Sequence, residues 1–424
     1  MNMTRKYDNY QDYINFQKEK TTDPVRREKW LNAEWRSKID GFKQEFRKVK
    51  GNLAPDAKIL CLGARTGQEV QALFEMGYSE SIGIDIVPHP PLVIEGHIHD
   101  LAFANDTFDM VYSNVVDHSL YPEKMISEIE RVLKVGGIAF LQLQVGLNQD
   151  QYTEFVIQNP VYDLFPYFER SMCVIAGFHN TNGAPNFAAM NFDCLFRKDK
   201  TLNAVFQKHG SFKSLRVPEK YKKIWNEVNL DVQIKKLDDN QIFDSETRLN
   251  ILEKLSKRAY YLTMIAEANQ AQSIAEVGTA QGWQFYSFCQ YASDNGGNVF
   301  SCDPRDVRNE RYKNMFEVDS QIGTFVLGDS SDMAKVASDI DFFYVDGLHD
   351  KGTVLRDVQN LLEVQSTTRK TVWVFNDFDV RFGCAEDIWA LCVASRNFKI
   401  LKVGQTASGN PSHQAIVVGG FKKQ

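Results

Sequence analysis

The alternation of apolar and polar positions divides the chain into a helical opening and two strand-and-helix stretches. Near the N-terminus Trp30, Leu31, Trp35, Ile39, Phe42 and Phe46 recur mostly at steps of three and four among Lys, Glu, Gln and Arg. One helix face has that spacing, which predicts a helical extension over 1–50 whose apolar stripe packs on a neighbouring domain. Gly51-Asn-Leu-Ala-Pro55 ends it. From residue 57 the period changes. Strands are predicted at Ala57–Leu62, Ser81–Ile86, Val93–Glu95, Phe108–Ser113 and Ile138–Leu143, with helices at Gln68–Met76 and Pro122–Leu133. Ser171–Phe178 and Asn191–Phe196 read as a closing antiparallel pair.

Residues 200–245 are more charged and are expected to form a partly helical connector, the run Glu219-Lys-Tyr-Lys-Lys223 being a solvated face. The alternation then returns. A helix over Thr247–Ala268 precedes strands at Ser273–Val277, Asn298–Cys302, Thr324–Leu327, Phe342–Val345 and Thr371–Phe375. A helix at Ala385–Ala394 and strands at Lys399–Val403 and Gln414–Val418 complete it. Repeated strand–helix alternation signals parallel βαβ units. The expected fold is therefore α/β, with two tandem Rossmann-like domains at 51–199 and 246–424. Each is a mostly parallel seven-stranded sheet flanked by helices.

Composition narrows the partners. The 424-residue chain carries a net charge of −6 with no long basic block, which disfavours duplex DNA and anionic membrane as partners. A local basic face for RNA and self-association are left open. The polar N-terminus and the lack of any apolar run of about eighteen residues predict neither a signal peptide nor a membrane span. Seven scattered cysteines without a C-x-x-C pair point to neither disulfides nor zinc, and to a reducing cytoplasm. His97 and His99, on a short strand without a third ligand, are not read as a metal site.

The candidate chemistry collects at predicted strand ends. Each domain opens with strand, G-x-x-x-G and helix: Gly63 to Gly67, and Gly278 to Gly282. Glycines there let a ligand approach the backbone closely, and the helix start offers free N–H groups. An acid ends the second strand of each domain, Asp85 and Asp303, where a carboxylate accepts hydrogen bonds from a ribose diol. Asp100 and Asp329 follow the third strands. Neither loop has the G-x-G-x-x-G of a pyrophosphate binder. An adenosine with a short zwitterionic tail fits better, which is S-adenosylmethionine.

In the second domain, strand Phe342–Val345 ends at Asp346 with His349 three residues on, and strand Thr371–Phe375 runs into Asn376-Asp377. Two carboxylates on neighbouring strand ends suit a hard divalent cation, Mg²⁺, and the imidazole suits a general base. In the first domain His118 is the nearby base candidate, and the acid pair has no counterpart, so that half is expected to be metal-independent.

These residues carry a family resemblance. Ile59-Leu-Cys-Leu-Gly-Ala-Arg-Thr-Gly67, Gly83-Ile-Asp-Ile86, Phe108-Asp-Met-Val-Tyr-Ser113 and Arg131-Val-Leu-Lys-Val-Gly-Gly137 resemble a class I S-adenosylmethionine-dependent methyltransferase, with Val135 in place of the usual proline. The resemblance implies that Gly63, Gly67, Asp85 and Asp100 hold the cofactor. Glu276-Val-Gly-Thr-Ala-Gln-Gly282, Asp303-Pro304, Gly328-Asp-Ser330, Val345-Asp-Gly-Leu-His349 and Phe375-Asn-Asp377 are similar to the metal-dependent O-methyltransferases of macrolide sugars. It implies Glu276, Gly278, Gly282, Asp303 and Asp329 on the cofactor side, Asp346 and Asp377 as metal ligands, and His349 as base. Where that family presents two adjacent acids, this chain has Asn376-Asp377, which leaves the third ligand open. The expected activity is O-methylation of a sugar, glycan or glycosylated metabolite. The alternatives are a silent domain serving as a binding or scaffold module, and a non-sugar small molecule or RNA as acceptor.

Overall fold

Leu60, Cys61 and Leu62 lie level with Ile82, Gly83 and Ile84 on one side and with Val111, Tyr112 and Ser113 on the other, all in parallel register. Runs that are apolar on both faces are what a parallel sheet covered by helices requires. The computed structural model describes residues 6–146, 150–178, 191–225, 227–228, 245–405 and 411–421, and the chain divides into two units, 1–203 and 204–424.

In the N-terminal unit the strands are β1 (Ile59–Leu62), β2 (Ile82–Asp85), β3 (Val93–Glu95), β4 (Phe108–Ser113), β5 (Leu133–Leu143), β6 (Ser171–Phe178) and β7 (Phe192–Lys198). They are ordered β3-β2-β1-β4-β5-β7-β6, with β7 antiparallel to both its neighbours. Helix α1 (Tyr10–Thr22), α2 (Pro24–Leu31) and α3 (Trp35–Arg47) precede the sheet, and α4 (Gln68–Glu75) and α5 (Pro122–Val132) connect its strands. The last three residues of the stripe read from the sequence are buried where α3 meets the sheet, while Leu31 at the end of α2 and Trp35 are half-buried. Ile39, Phe42 and Phe46 join the core around Tyr112, and the Phe46 and Tyr112 rings lie 4.9 Å apart, edge to face. Each such buried side chain stabilises the unit by roughly 1.5–3 kcal/mol.

The C-terminal unit repeats this plan. After α6 (Ser245–Ala268) come β8 (Ser273–Val277), β9 (Asn298–Asp303), β10 (Gly323–Leu327), β11 (Phe342–Val345), β12 (Val372–Phe375), β13 (Phe398–Gln405) and β14 (Pro411–Val418). Helices α7 (Trp283–Asn295), α8 (Thr353–Leu361) and α9 (Ala385–Ser395) lie between them. The order is β10-β9-β8-β11-β12-β14-β13, which is the same sequence of strands as in the first unit. Strand order reverses between β8 and β11, and ligands of open α/β sheets sit outside the carboxyl ends at such a point.

Of the expected connector, 229–244 lies outside the described residues, and so does the polar stretch Leu237–Gln241. Its first part is helical from Lys200 to His209. All seven cysteines are buried free thiols, and no described helix is long and apolar enough to cross a membrane.

Candidate active site

Two small glycine loops shape both cofactor-side regions, and they do so identically in backbone terms. Gly63 (φ 69°) and Gly278 (φ 92°) follow the first strands, and Gly67 (φ 86°) and Gly282 (φ 90°) start the helices in the left-handed region. Within each loop a non-glycine residue is also left-handed, Arg65 (φ 47°) in one and Ala280 (φ 46°) in the other. An acid holds that strained residue in place. Asp85 accepts from the Arg65 N–H at 3.0 Å, and Asp303 accepts from the Ala280 N–H at 3.0 Å. The second oxygens accept from Val87 and Arg305 N–H groups. The acids at the ends of the second strands therefore first serve to fold the loops, a role that spacing alone does not reveal.

In the C-terminal unit the loop opens on a cavity of about 330 Å³, lined among others by Glu276, Gly278, Asp303, Asp329 and Asp346. Five residues read from four strand ends thus share one cavity wall. Glu276 is fully buried; its Oε2 accepts from Ser301 Oγ at 2.6 Å, and its Oε1 has no partner. Burial pushes its carboxyl well above the usual range, and Asp346 and Asp303 add to the effect. Gln284, 2 % exposed and on the same wall, has neither its amide oxygen nor its nitrogen paired. Buried polar groups left unmatched in this way are costly unless a ligand meets them. A zwitterionic amino-acid tail presents complementary donors and acceptors, so the donor set fits S-adenosylmethionine. Asp329 is exposed and caps a short helical turn through Ser331, and Gly282 acts as the left-handed start of α7.

The registers of β8, β11 and β12 bring the second group of residues together. Val345 lies level with Val277 and with Phe375, so Asp346 and Asn376 emerge side by side. The chain then turns at Asp377 (φ 49°). His349 Nε2 lies 3.2 Å from Asp377 Oδ2 and 3.7 Å from Asp346 Oδ1. One atom of each of these three residues falls within 4.8 Å of the others, an arrangement able to hold a metal ion. Asp346 and Asp377 hold the imidazole above its usual range, while burial and then Asp346 raise the Asp377 carboxyl. Asp346 also accepts from Tyr344 Oη at 3.0 Å and from Asn376 Nδ2 at 2.7 Å.

Three residues around this cluster were not read from the sequence. Arg258 on α6 is 5 % exposed, donates to Asn376 Oδ1 at 3.3 Å and lies over the Trp283 ring. Gln414 on β14 donates to the same oxygen at 2.9 Å. Gln284 is the third. Only its position just inside the helix after Gly282 carried a signal; Arg258 is one charge among many on its helix.

The N-terminal unit is built differently around its loop. Helix α1 lies over it, and the remaining cavity is about 80 Å³, lined by Tyr10, Tyr13, Gly63, Arg65, Asp85 and His118 among others. Small-molecule sites are usually about 300–1,000 Å³. As folded, this pocket does not fit the cofactor. Tyr10 Oη bonds to His99 Nδ1 at 2.8 Å, Tyr13 Oη donates to the His118 carbonyl, and Gln17 donates to the Tyr152 carbonyl. The His118 ring is engaged at both nitrogens, Nδ1 with the Tyr152 carbonyl at 2.8 Å and Nε2 with Lys20 Nζ at 3.0 Å. Asp100 is exposed and does not line this cavity.

The fold defines a class: a Rossmann-like α/β protein with two methyltransferase domains. Two family models, each described as a methyltransferase domain, match residues 60–141 and 275–378. No curated protein sequence matches the chain. Among solved structures it is similar to the 1,6-didemethyltoxoflavin-N1-methyltransferase of Burkholderia thailandensis, at 14% identity over 44% of this chain and 87% of that one, TM-score 0.34. It is also similar to an S-adenosylmethionine-dependent methyltransferase of Methanosarcina mazei, at 17% identity over 36% and 97%, TM-score 0.29. Neither likeness transfers an acceptor.

Proposed function

We propose that the C-terminal unit is the catalytic one and that it methylates a hydroxyl of a sugar, glycan or glycosylated metabolite with the help of a divalent cation. The observation that carries this reading is the position of Asp346. It lines the cofactor cavity and belongs to the Asp346–His349–Asp377 cluster as well. A methyl donor in the cavity and a polarised acceptor at the cluster would then meet at one residue.

Bound in the cavity, the cofactor supplies a sulfonium methyl, whose transfer to oxygen leaves a neutral thioether and frees one proton. Glu276 and Gln284 would hold its polar tail, and the loop from Gly278 to Gly282 its nucleoside side. Fixing the reactants in line can contribute roughly 7–11 kcal/mol. A hydroxyl is a poor nucleophile at neutral pH and needs a Lewis acid, a base or both. Asp346 and Asp377 would place the cation, and His349 lies in reach of the same point. Nitrogen and carbon acceptors need no such cation, which favours oxygen. The sugar itself rests on the resemblance of 273–420 to metal-dependent sugar O-methyltransferases.

For the N-terminal unit the second reading, a silent binding module, is favoured by its cavity of about 80 Å³ and by the engagement of both His118 nitrogens. The test is transfer of labelled methyl to a sugar and glycan pool, followed by intact mass. Loss of product with chelator and with Asp346→Asn supports the reading. Unchanged product under both treatments overturns it.

A further inference from the structure

The cluster at the tips of β11 and β12 offers two carboxylates, and the third position is decided by Asn376. Its amide oxygen faces Arg258 at 3.3 Å and Gln414 at 2.9 Å, and its nitrogen faces Asp346 Oδ1 at 2.7 Å. This orientation is fixed by chemistry. A guanidinium can only donate, and an ionised carboxylate can only accept. Turning the amide over would set donor against donor at Arg258 and oxygen against oxygen at Asp346. Asn376 therefore shows an ion at this site an N–H group, and such a group cannot be a ligand.

His349 supplies what Asn376 withholds. Its Nε2 is buried and makes no hydrogen bond, although it stands 3.2 Å from Asp377 Oδ2 and 3.7 Å from Asp346 Oδ1. Neighbouring ligand atoms on a six-coordinate ion with bonds of about 2.1 Å are about 3 Å apart. The imidazole is held where a ligand would be, beside both carboxylates. The adjoining cavity, which Asp346 also lines, calls for a ligand of its own, because fully buried Glu276 Oε1 and both amide atoms of Gln284 end on its wall unpaired.

We propose that His349 is the third metal ligand rather than the general base, and that the site consequently prefers a first-row ion such as Mn²⁺ to Mg²⁺; this rests on the cation-dependent reading of the C-terminal unit. Imidazole suits first-row transition ions, whereas Mg²⁺ takes oxygen. One nitrogen atom cannot bind the ion and accept the acceptor's proton together. The hydroxyl proton then passes to solvent, and ligation to the cation supplies the acidity that the base would otherwise provide.

The test uses the metal-stripped full-length protein, titrated calorimetrically with Mn²⁺ and separately with Mg²⁺, and electron spin-echo spectroscopy of the Mn²⁺ complex. Expected are Mn²⁺ affinity at least about tenfold above that for Mg²⁺, nitrogen coupling to bound Mn²⁺, and loss of that coupling in His349→Ala. Bound Mn²⁺ without nitrogen coupling overturns the ligand assignment and leaves the cation-dependent reading standing. Binding of neither ion overturns both. The spectrum of the unaltered protein decides the question even if His349→Ala fails to fold.

Discussion

Ser301 donates its hydroxyl to Oε2 of Glu276 at 2.6 Å, and Thr279 Oγ1 lies 2.6 Å from the same hydroxyl. A residue from the glycine loop, one from β9 and one from β8 thus form a buried chain that ends on the cofactor cavity. Only the far oxygen of Glu276 is left for a ligand.

Burial pushes the carboxyl of Glu276 well above its usual range. A folded-state pKa above the unfolded one means that its contribution to stability is complete below the unfolded value of 4.5 and is lost as pH rises toward the folded value. Glu276→Gln, which resembles the neutral acid, should flatten the decline in stability on going to alkaline pH while weakening cofactor binding. Denaturant midpoints across pH check the first effect and calorimetry the second.

His99 shows the opposite sign. Burial lowers its imidazole from 6.5 to about 4, so its neutral form is built into the fold. Stability is present above the unfolded value and is lost as pH falls from about 6.5 toward about 4, at a cost on the order of 3 kcal/mol. Tyr10 bonds to this ring, so α1 should loosen in acid. Hydrogen exchange of α1 at decreasing pH should show it, and His99→Gln should remove the dependence.

At Gly278 a Cβ would lie 2.0 Å from the Asp346 carbonyl oxygen, and the backbone is left-handed. Gly278→Ala should destabilise the C-terminal unit by more than the roughly 1–3 kcal/mol of the backbone strain alone. It should also push apart the loop and the strand tip that carry the two halves of the site, lowering cofactor and metal affinity together. Thermal melts and titrations of the same variant measure both.

Asp85 and Asp303 should behave alike despite their different surroundings. Each accepts one backbone N–H from its glycine loop and one from the residue two positions after the acid. Replacement by Ala should cost roughly 1–3 kcal/mol in either unit, seen as a lower denaturant midpoint; Asn, which keeps one acceptor, should cost less.

If α1 is what closes the N-terminal pocket, enlarging that pocket should restore binding. The combined change Tyr10→Ala and Tyr13→Ala removes two rings from the lining. Calorimetry with S-adenosylmethionine should then show two binding sites per chain where the unaltered protein shows one.

Much of this architecture was legible in the letters. Apolar runs such as Phe342–Val345 have one stable use in an α/β chain, and the strand after each glycine loop ends in an acid in both halves. The resemblance named residues that the C-terminal cavity does gather, Glu276, Gly278, Asp303, Asp329 and Asp346. Sequence spacing could not show that Asp100 points outward to solvent or that His118 is tied at both nitrogens. The two partners of the His118 ring, Tyr152 and Lys20 of α1, are 34 and 98 residues away in the chain.

What the sequence determined by itself is the order of strands and helices and the residues at strand ends, because backbone periodicity is a local property. Which way an amide turns is not. Asn376 shows its nitrogen to Asp346 because Arg258 from α6, which can only donate, requires its oxygen, and Gln414 from β14 donates to the same atom. Only folding brings those groups to one point, and the donor-only guanidinium of Arg258 settles what the strand tip can offer a ligand.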